Sequence, residues 1–118
     1  MKFTEVSYGD LLPVDGYGPG FFRIGGEKVE GPMAIMPSGR IEWGGYEDSD
    51  ALVAEAGNID VLFFGTGTEI AYLPKPLKQA LEAAGIGVEL MATPAACRTY
   101  NVLLSEGRRV GIAAIPVS

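Results

Sequence analysis

Histidine is absent from this 118-residue chain, and cysteine occurs once, at Cys97. Without an imidazole there is no base for a Ser-His or Cys-His relay and no histidine ligand for zinc, and a single thiol cannot form an intrachain disulfide. A metal site would have to be built from carboxylates alone, and none is expected. Basic runs are missing too. Nine Lys and Arg stand against fifteen Asp and Glu, for a formal charge of −6, so neither nucleic acid nor an anionic lipid surface is an expected partner. No stretch approaches the roughly 18 to 20 apolar residues of a membrane span, and the opening MKFTEVSYGD holds no apolar core of signal-peptide length. Direct membrane insertion is therefore not expected, and the expected location is the cytoplasm.

What the chain does have is apolar content of 47% against 20% charged, enough for one domain spanning residues 1–118 with one substantial core. A short strand is expected around Phe3 to Tyr8, followed by a loop, GDLLPVDGYGPG, whose Leu11, Leu12, Val14 and Tyr17 lie against the body of the domain. Phe21 to Gly45 reads as antiparallel strands: FFRI, a Gly25-Gly26 turn, KVEGPMAIM, a Pro37-Ser38-Gly39 turn, and RIEWGG. Gly31-Pro32 predicts a bulge or bend that lets one strand serve two sheets, because proline cannot donate to a central ladder. Alternation puts Ile41 and Trp43 on one face, with Arg40 and Glu42 on the other.

The second half alternates strand and helix. Asp48 or Ser49 opens a short helix to about Ala56, with Gly57 placed to end it in a left-handed conformation. Asp60 to Phe64 has no alternation, which predicts a strand buried on both faces near the middle of a sheet. Leu77, Ala80, Leu81 and Ala84 give a helical stripe ended by Gly85, Ile86 to Met91 is the next strand, and right-handed crossover makes it parallel to the previous one. Thr93 is the expected N-cap of a helix with Pro94 at its first position, an inward stripe of Ala96, Thr99, Tyr100, Leu103 and Leu104, and a stop at Gly107. Arg109 to Val117 is the last strand. The fold class is α/β, with N-terminal antiparallel hairpins joined to a C-terminal βαβαβ unit with a parallel core.

No catalytic set is visible. In open α/β sheets ligands gather beyond the carboxyl ends of strands. Two such ends are Gly65-Thr66-Gly67, whose glycines allow close backbone approach, and Thr93-Pro94, which opens a helix with free amides. Arg98 could add a bidentate charge. With Tyr100 and Asn101 these form a candidate site for a carboxylate or small phosphate. Each has a plainer reading: GTG as turn geometry, Thr93 as a cap, Cys97 as a small buried apolar residue, and Arg98, Asn101 and Ser105 as a solvated face or the anchor of a neighbouring loop. Glu47, Asp48 and Asp50 suit the start of a helix. Trp43 and the pair Phe21-Phe22 suit the core.

GTG, LPKPL, GIGVELM and above all TPAACRTYNVLLSEGRRV, with the preceding IEWGG, resemble a small family of uncharacterised bacterial and archaeal proteins. That family includes a mitochondrial respiratory complex I assembly factor and an adipogenesis-associated protein with an Mth-type domain. The resemblance covers the whole chain. It implies a compact three-layer α/β fold with a β-hammerhead-like hairpin region, no established enzymatic activity and no agreed catalytic residues. It also implies action through protein contacts, since the mitochondrial relatives look like assembly proteins and bacterial relatives are often encoded near preprotein translocase subunits. The expected function is thus a non-enzymatic interaction protein with a protein partner, monomeric or weakly homodimeric, of the assembly or membrane-protein biogenesis kind. The alternative is a small-anion binder or enzyme.

Overall fold

The Gly31-Pro32 break divides the hairpin series between two sheets. In the computed structural model, which describes residues 11–118, Gly31 adopts φ +81°, a conformation open to glycine but rarely to L side chains. The strands on either side of it belong to different sheets. The first sheet is antiparallel, in the order β1 (Val14–Gly18), β2 (Phe21–Ile24), β3 (Glu27–Glu30). The second contains β4 (Met33–Met36), β5 (Gly39–Ile41), β6 (Val61–Thr66), β7 (Val88–Met91) and β8 (Val110–Ile115), in the order β5-β4-β8-β6-β7. β4 runs antiparallel to β5 and β8, while β6 runs parallel to both β8 and β7. The C-terminal unit is the expected βαβαβ with a parallel core. β6 is interior as its unbroken apolar run requires, and β8 takes the middle place.

Among the described residues three α-helices complete the layers: α1 (Ser49–Val53), α2 (Lys75–Ala83) and α3 (Thr93–Ser105). The five-stranded sheet alternates its side chains between two cores. Phe63, Ile35, Ile112 and Ala114 meet α3 residues Ala96, Cys97, Tyr100 and Leu104 together with Val14, Phe22 and Ile24 of the small sheet. Leu62, Phe64, Ala34, Met36 and Ala113 meet Leu52 of α1, Leu77 and Leu81 of α2, and Trp43. Trp43 packs edge-on against Phe64 at 5.5 Å between ring centroids and donates from its indole nitrogen to the Asp48 carbonyl at 3.0 Å. The layers are α1 and α2, the five-stranded sheet, then α3 with the three-stranded sheet.

Several local expectations differ from the structure. The segment read as a loop contains β1, which pairs with β2 at Gly16↔Arg23, Tyr17↔Phe22 and Gly18↔Phe21 after a register irregularity beyond Val14. Its glycines sit in an edge strand, where cross-strand pairing overrides their low strand propensity. KVEGPMAIM is two strands, and the strand over RIEWGG ends at Ile41, although Trp43 is buried. Asp48 does cap α1, accepting from the Ala51 amide at 3.4 Å. That helix stops at Val53, however, and Gly57 lies in a 3₁₀ turn, Ala56–Asn58, without positive φ. The turn closes through the Asn58 amide on the Glu55 carbonyl, so a left-handed cap has no role there. β7 and β8 are shorter than read. The expected strand around Phe3 to Tyr8 lies outside the described residues.

Candidate functional site at the junction of β6, β8 and α3

Gly65 and Thr66 belong to the strand and not to the turn after it. They pair with Ala114 and Ile115 of β8, and Gly65 also pairs with Met91 of β7. α3 starts directly above them. The chain leaves β7 through Ala92, and Thr93 is the first helical residue, with Ala92 as the N-cap and no side-chain cap. Thr93 was expected to cap the helix; its side chain does other work. Its hydroxyl donates to the Ile115 carbonyl at 2.6 Å and accepts from the Gly67 amide at 2.8 Å. Its own amide donates to the Gly67 carbonyl at 2.8 Å. One fully buried threonine thus ties the helix start to the ends of β6 and β8. Thr66 is used in the same way. Its hydroxyl lies 2.9 Å from the Glu69 carbonyl and 3.2 Å from the Met91 carbonyl, sharing one proton between them, and accepts from the Ala71 amide at 2.9 Å.

Gly65 permits this close approach. A Cβ there would lie 2.7 Å from the Thr93 hydroxyl oxygen, 3.0 Å from the Thr93 Cα and 3.0 Å from the Ala114 Cβ. The glycine is a packing requirement of the helix on the sheet.

The structure therefore brings Gly65, Thr66, Gly67 and Thr93 together and sends the other three candidates elsewhere. Tyr100 is buried, and its hydroxyl donates to the Leu12 carbonyl at 2.8 Å. Asn101 accepts from the Val14 amide at 2.9 Å and donates to the Val14 carbonyl at 2.8 Å, pinning β1 to the helix across 87 residues of sequence. Of the two readings of that polar face, the anchor describes Asn101. Arg98 is exposed beside Thr99, Val102 and Leu103, and Ser105 bonds within its own helix to the Val102 carbonyl. Among the described residues no buried side-chain nitrogen or oxygen lacks a partner, no group of three acidic, cysteine or histidine side chains could hold a metal, and no helix is long and apolar enough to cross a membrane.

Cys97 sits on the inner face of α3. Burial pushes its thiol up to about 12, with the Arg98 charge acting in the opposite direction and losing. The thiol is therefore neutral across the physiological range, and the folded protein is expected not to react with Ellman's reagent at pH 8, whereas the urea-unfolded chain reacts fully. Fast reaction of the native protein would contradict this. The pH dependence follows from linkage. Below the ordinary thiol value both states hold the proton; above it the unfolded chain ionises first, so stability falls as pH rises toward the folded value. Cys97→Ala should reduce that alkaline slope, leaving the part that Tyr46 contributes, since burial raises its phenol as well.

Sequence reasoning passed over one feature of this half. Ile70 and Tyr72, 63% and 94% exposed, project from the segment between β6 and α2. Tyr72 lines a groove of about 330 Å³ together with Leu81, Ile86, Val88 and Leu90, bordered by Lys78 and Glu82 of α2. Two apolar residues at i, i+2 in EIAYLP, between a strand and a helix, were the available signal.

Comparison with known proteins places this arrangement among relatives. An uncharacterised protein of Rhodobacter capsulatus is 50% identical over 117 residues, covering 99% of this chain and 94% of that one. The human NADH dehydrogenase [ubiquinone] 1 alpha subcomplex assembly factor 3 is 37% identical over 123 residues, covering 98% of this chain but 67% of its own length. Among solved structures, one described as an outer membrane protein from Bartonella henselae superposes with a TM-score of 0.80 at 37% identity, over 92% of this chain and 97% of that one. A Bordetella pertussis protein described as a Mth938-like domain gives 0.76 at 29% identity, over 98% and 92%. The family profile described as "Protein of unknown function (DUF498/DUF598)" matches residues 14–115, from the first residue of β1 to the last of β8, and the chain belongs to that family.

Proposed function

We propose that this chain acts through protein contacts as an assembly factor, without catalysing a reaction, in the cytoplasm, as a monomer or weak homodimer that engages a subunit of a larger or membrane-embedded complex. The observation that carries the reading is the similarity to the human assembly factor, which extends over 98% of this chain. The geometry of the junction agrees with it. The hydroxyls of Thr66 and Thr93 are spent on backbone groups of the fold itself, and Arg98 is the one charged residue among the seven candidates. An anion would find the Thr66 and Thr93 hydroxyls already engaged and only Arg98 left to bind it, which weighs against a carboxylate or phosphate site.

The test is affinity capture from the native source with the purified chain as bait, followed by reconstitution with the purified candidate. A single partner that is enriched reproducibly and binds again when purified is expected. Failure to reconstitute any complex, together with a ligand-dependent rise in melting temperature that Arg98→Ala abolishes, would overturn the reading in favour of a small-anion binder. Cell fractionation checks the compartment.

A further inference from the structure

The five-stranded sheet ends at β7, and among the described residues no strand pairs with its outer edge. The Leu62 amide donates to the Gly87 carbonyl at 2.8 Å. Backbone groups alternate in direction along a strand, so those of Gly87, Glu89 and Met91 face β6, and those of Val88 and Leu90 face outward. Two donors and two acceptors stand in a row at the rim of the sheet. The other edges are protected in the ways proteins commonly use. β5 has three residues including Arg40, β3 carries Glu27, Lys28 and Glu30 among its four, and Asn101 occupies both backbone groups of Val14 in β1. β7 carries one charge, Glu89, between two apolar residues.

The side chains of Val88 and Leu90 lie on the α2 side of the sheet, where they help line the mainly apolar groove beside Tyr72, with Lys78 and Glu82 of α2 at its border. Glu89 is on the opposite face and exposed. An added strand would therefore meet an apolar channel at alternate positions and a carboxylate between them. A second copy of this chain, paired antiparallel with Val88 opposite Leu90, would set Glu89 directly against Glu89, and like charges in that position are destabilising. Charge complementarity asks for lysine or arginine there.

We propose that the β7 edge receives an extended segment of a partner protein as a sixth strand, one that carries an apolar–basic–apolar triplet. Its apolar side chains extend the Val88–Leu90 row along the groove under Tyr72, its basic side chain lies opposite Glu89, and its backbone bonds to the amides and carbonyls of Val88 and Leu90. This rests on the protein-contact reading above and names the partner chemistry for it.

The experiment is a titration of the ¹⁵N-labelled full chain with two capped synthetic peptides, Ser-Val-Lys-Val-Ser and Ser-Val-Glu-Val-Ser, followed by amide chemical shifts. The lysine peptide is expected to shift the Val88 and Leu90 amides and to bind roughly fivefold or more tightly than the glutamate peptide. Glu89→Lys should reverse that preference. Val88→Pro removes an outward amide and no bond to β6, so it should abolish the shifts while leaving the remaining spectrum in place. Absence of shifts at Val88 and Leu90 at millimolar peptide, equal binding of both peptides, or a wild-type homodimer broken by Val88→Pro would each overturn the proposal. A partner reconstituted equally well with wild type and Val88→Pro would sink the edge assignment and leave the assembly reading standing.

Discussion

Thr93→Val is expected to unfold about 2 to 4 kcal/mol more easily than wild type, although valine has nearly the same shape. The substitution leaves the buried Gly67 amide and the part-buried Ile115 carbonyl without the hydroxyl that now joins them, and an orphaned buried group costs about 1 to 3 kcal/mol. For a domain of this size that is a fall in Tm of roughly 10 °C. Urea denaturation with an unchanged m-value measures it. Thr93→Ser keeps the hydroxyl and should recover most of the loss. A valine variant as stable as wild type would mean that the hydroxyl is dispensable to the fold, and a ligand role for Thr93 would regain its force.

Gly65→Ala should cost about 2 to 3 kcal/mol for a different reason. The backbone there is not left-handed, so the cost is steric. The new methyl would meet the Thr93 Cα and the Ala114 Cβ at 3.0 Å and the Thr93 oxygen at 2.7 Å. Two of those atoms are fixed by a helix start and a central strand, and overpacking of this kind costs about 1 to 3 kcal/mol even where neighbours can shift. Relief would require α3 to move off the sheet, which would also stretch the Thr93 bonds. The two substitutions should accordingly be non-additive, and a double mutant cycle of thermal or urea unfolding would show the coupling. Gly65→Ala with wild-type stability would mean that the helix can shift without loss.

Both predictions concern residues that, as a string of letters, suggest an anion cradle. Glycines flanking a threonine after a strand, and a threonine-proline pair opening a helix, have the composition of a ligand loop because close backbone approach and free hydroxyls are what such loops need. Helix-on-sheet packing needs the same things. Which of the two a sequence encodes depends on whether the hydroxyls meet a third segment, and here that segment is Ile115, 22 residues beyond Thr93. Asn101 shows the same limit, since its partner Val14 lies 87 residues away, in a strand hidden by its glycines.

The sequence by itself determined the βαβαβ order and its parallel core, through an apolar run at Val61 to Phe64 and helical stripes ending at Gly85 and Gly107. It also marked Gly31-Pro32 as the place where the chain passes from one sheet to the other, because proline cannot donate to a central ladder, although it read there a bend in one strand where the structure has two. It carried the family resemblance, including the relation to an assembly factor. The tertiary structure alone decided that β8 and not β6 is the middle strand, that β1 exists, that Thr66 and Thr93 bond inward, and that β7 leaves an open edge beside an apolar groove. Those outcomes depend on pairing between segments far apart in the chain. Local periodicity records which face of a strand is buried, but it does not record which neighbour lies alongside or whether there is one.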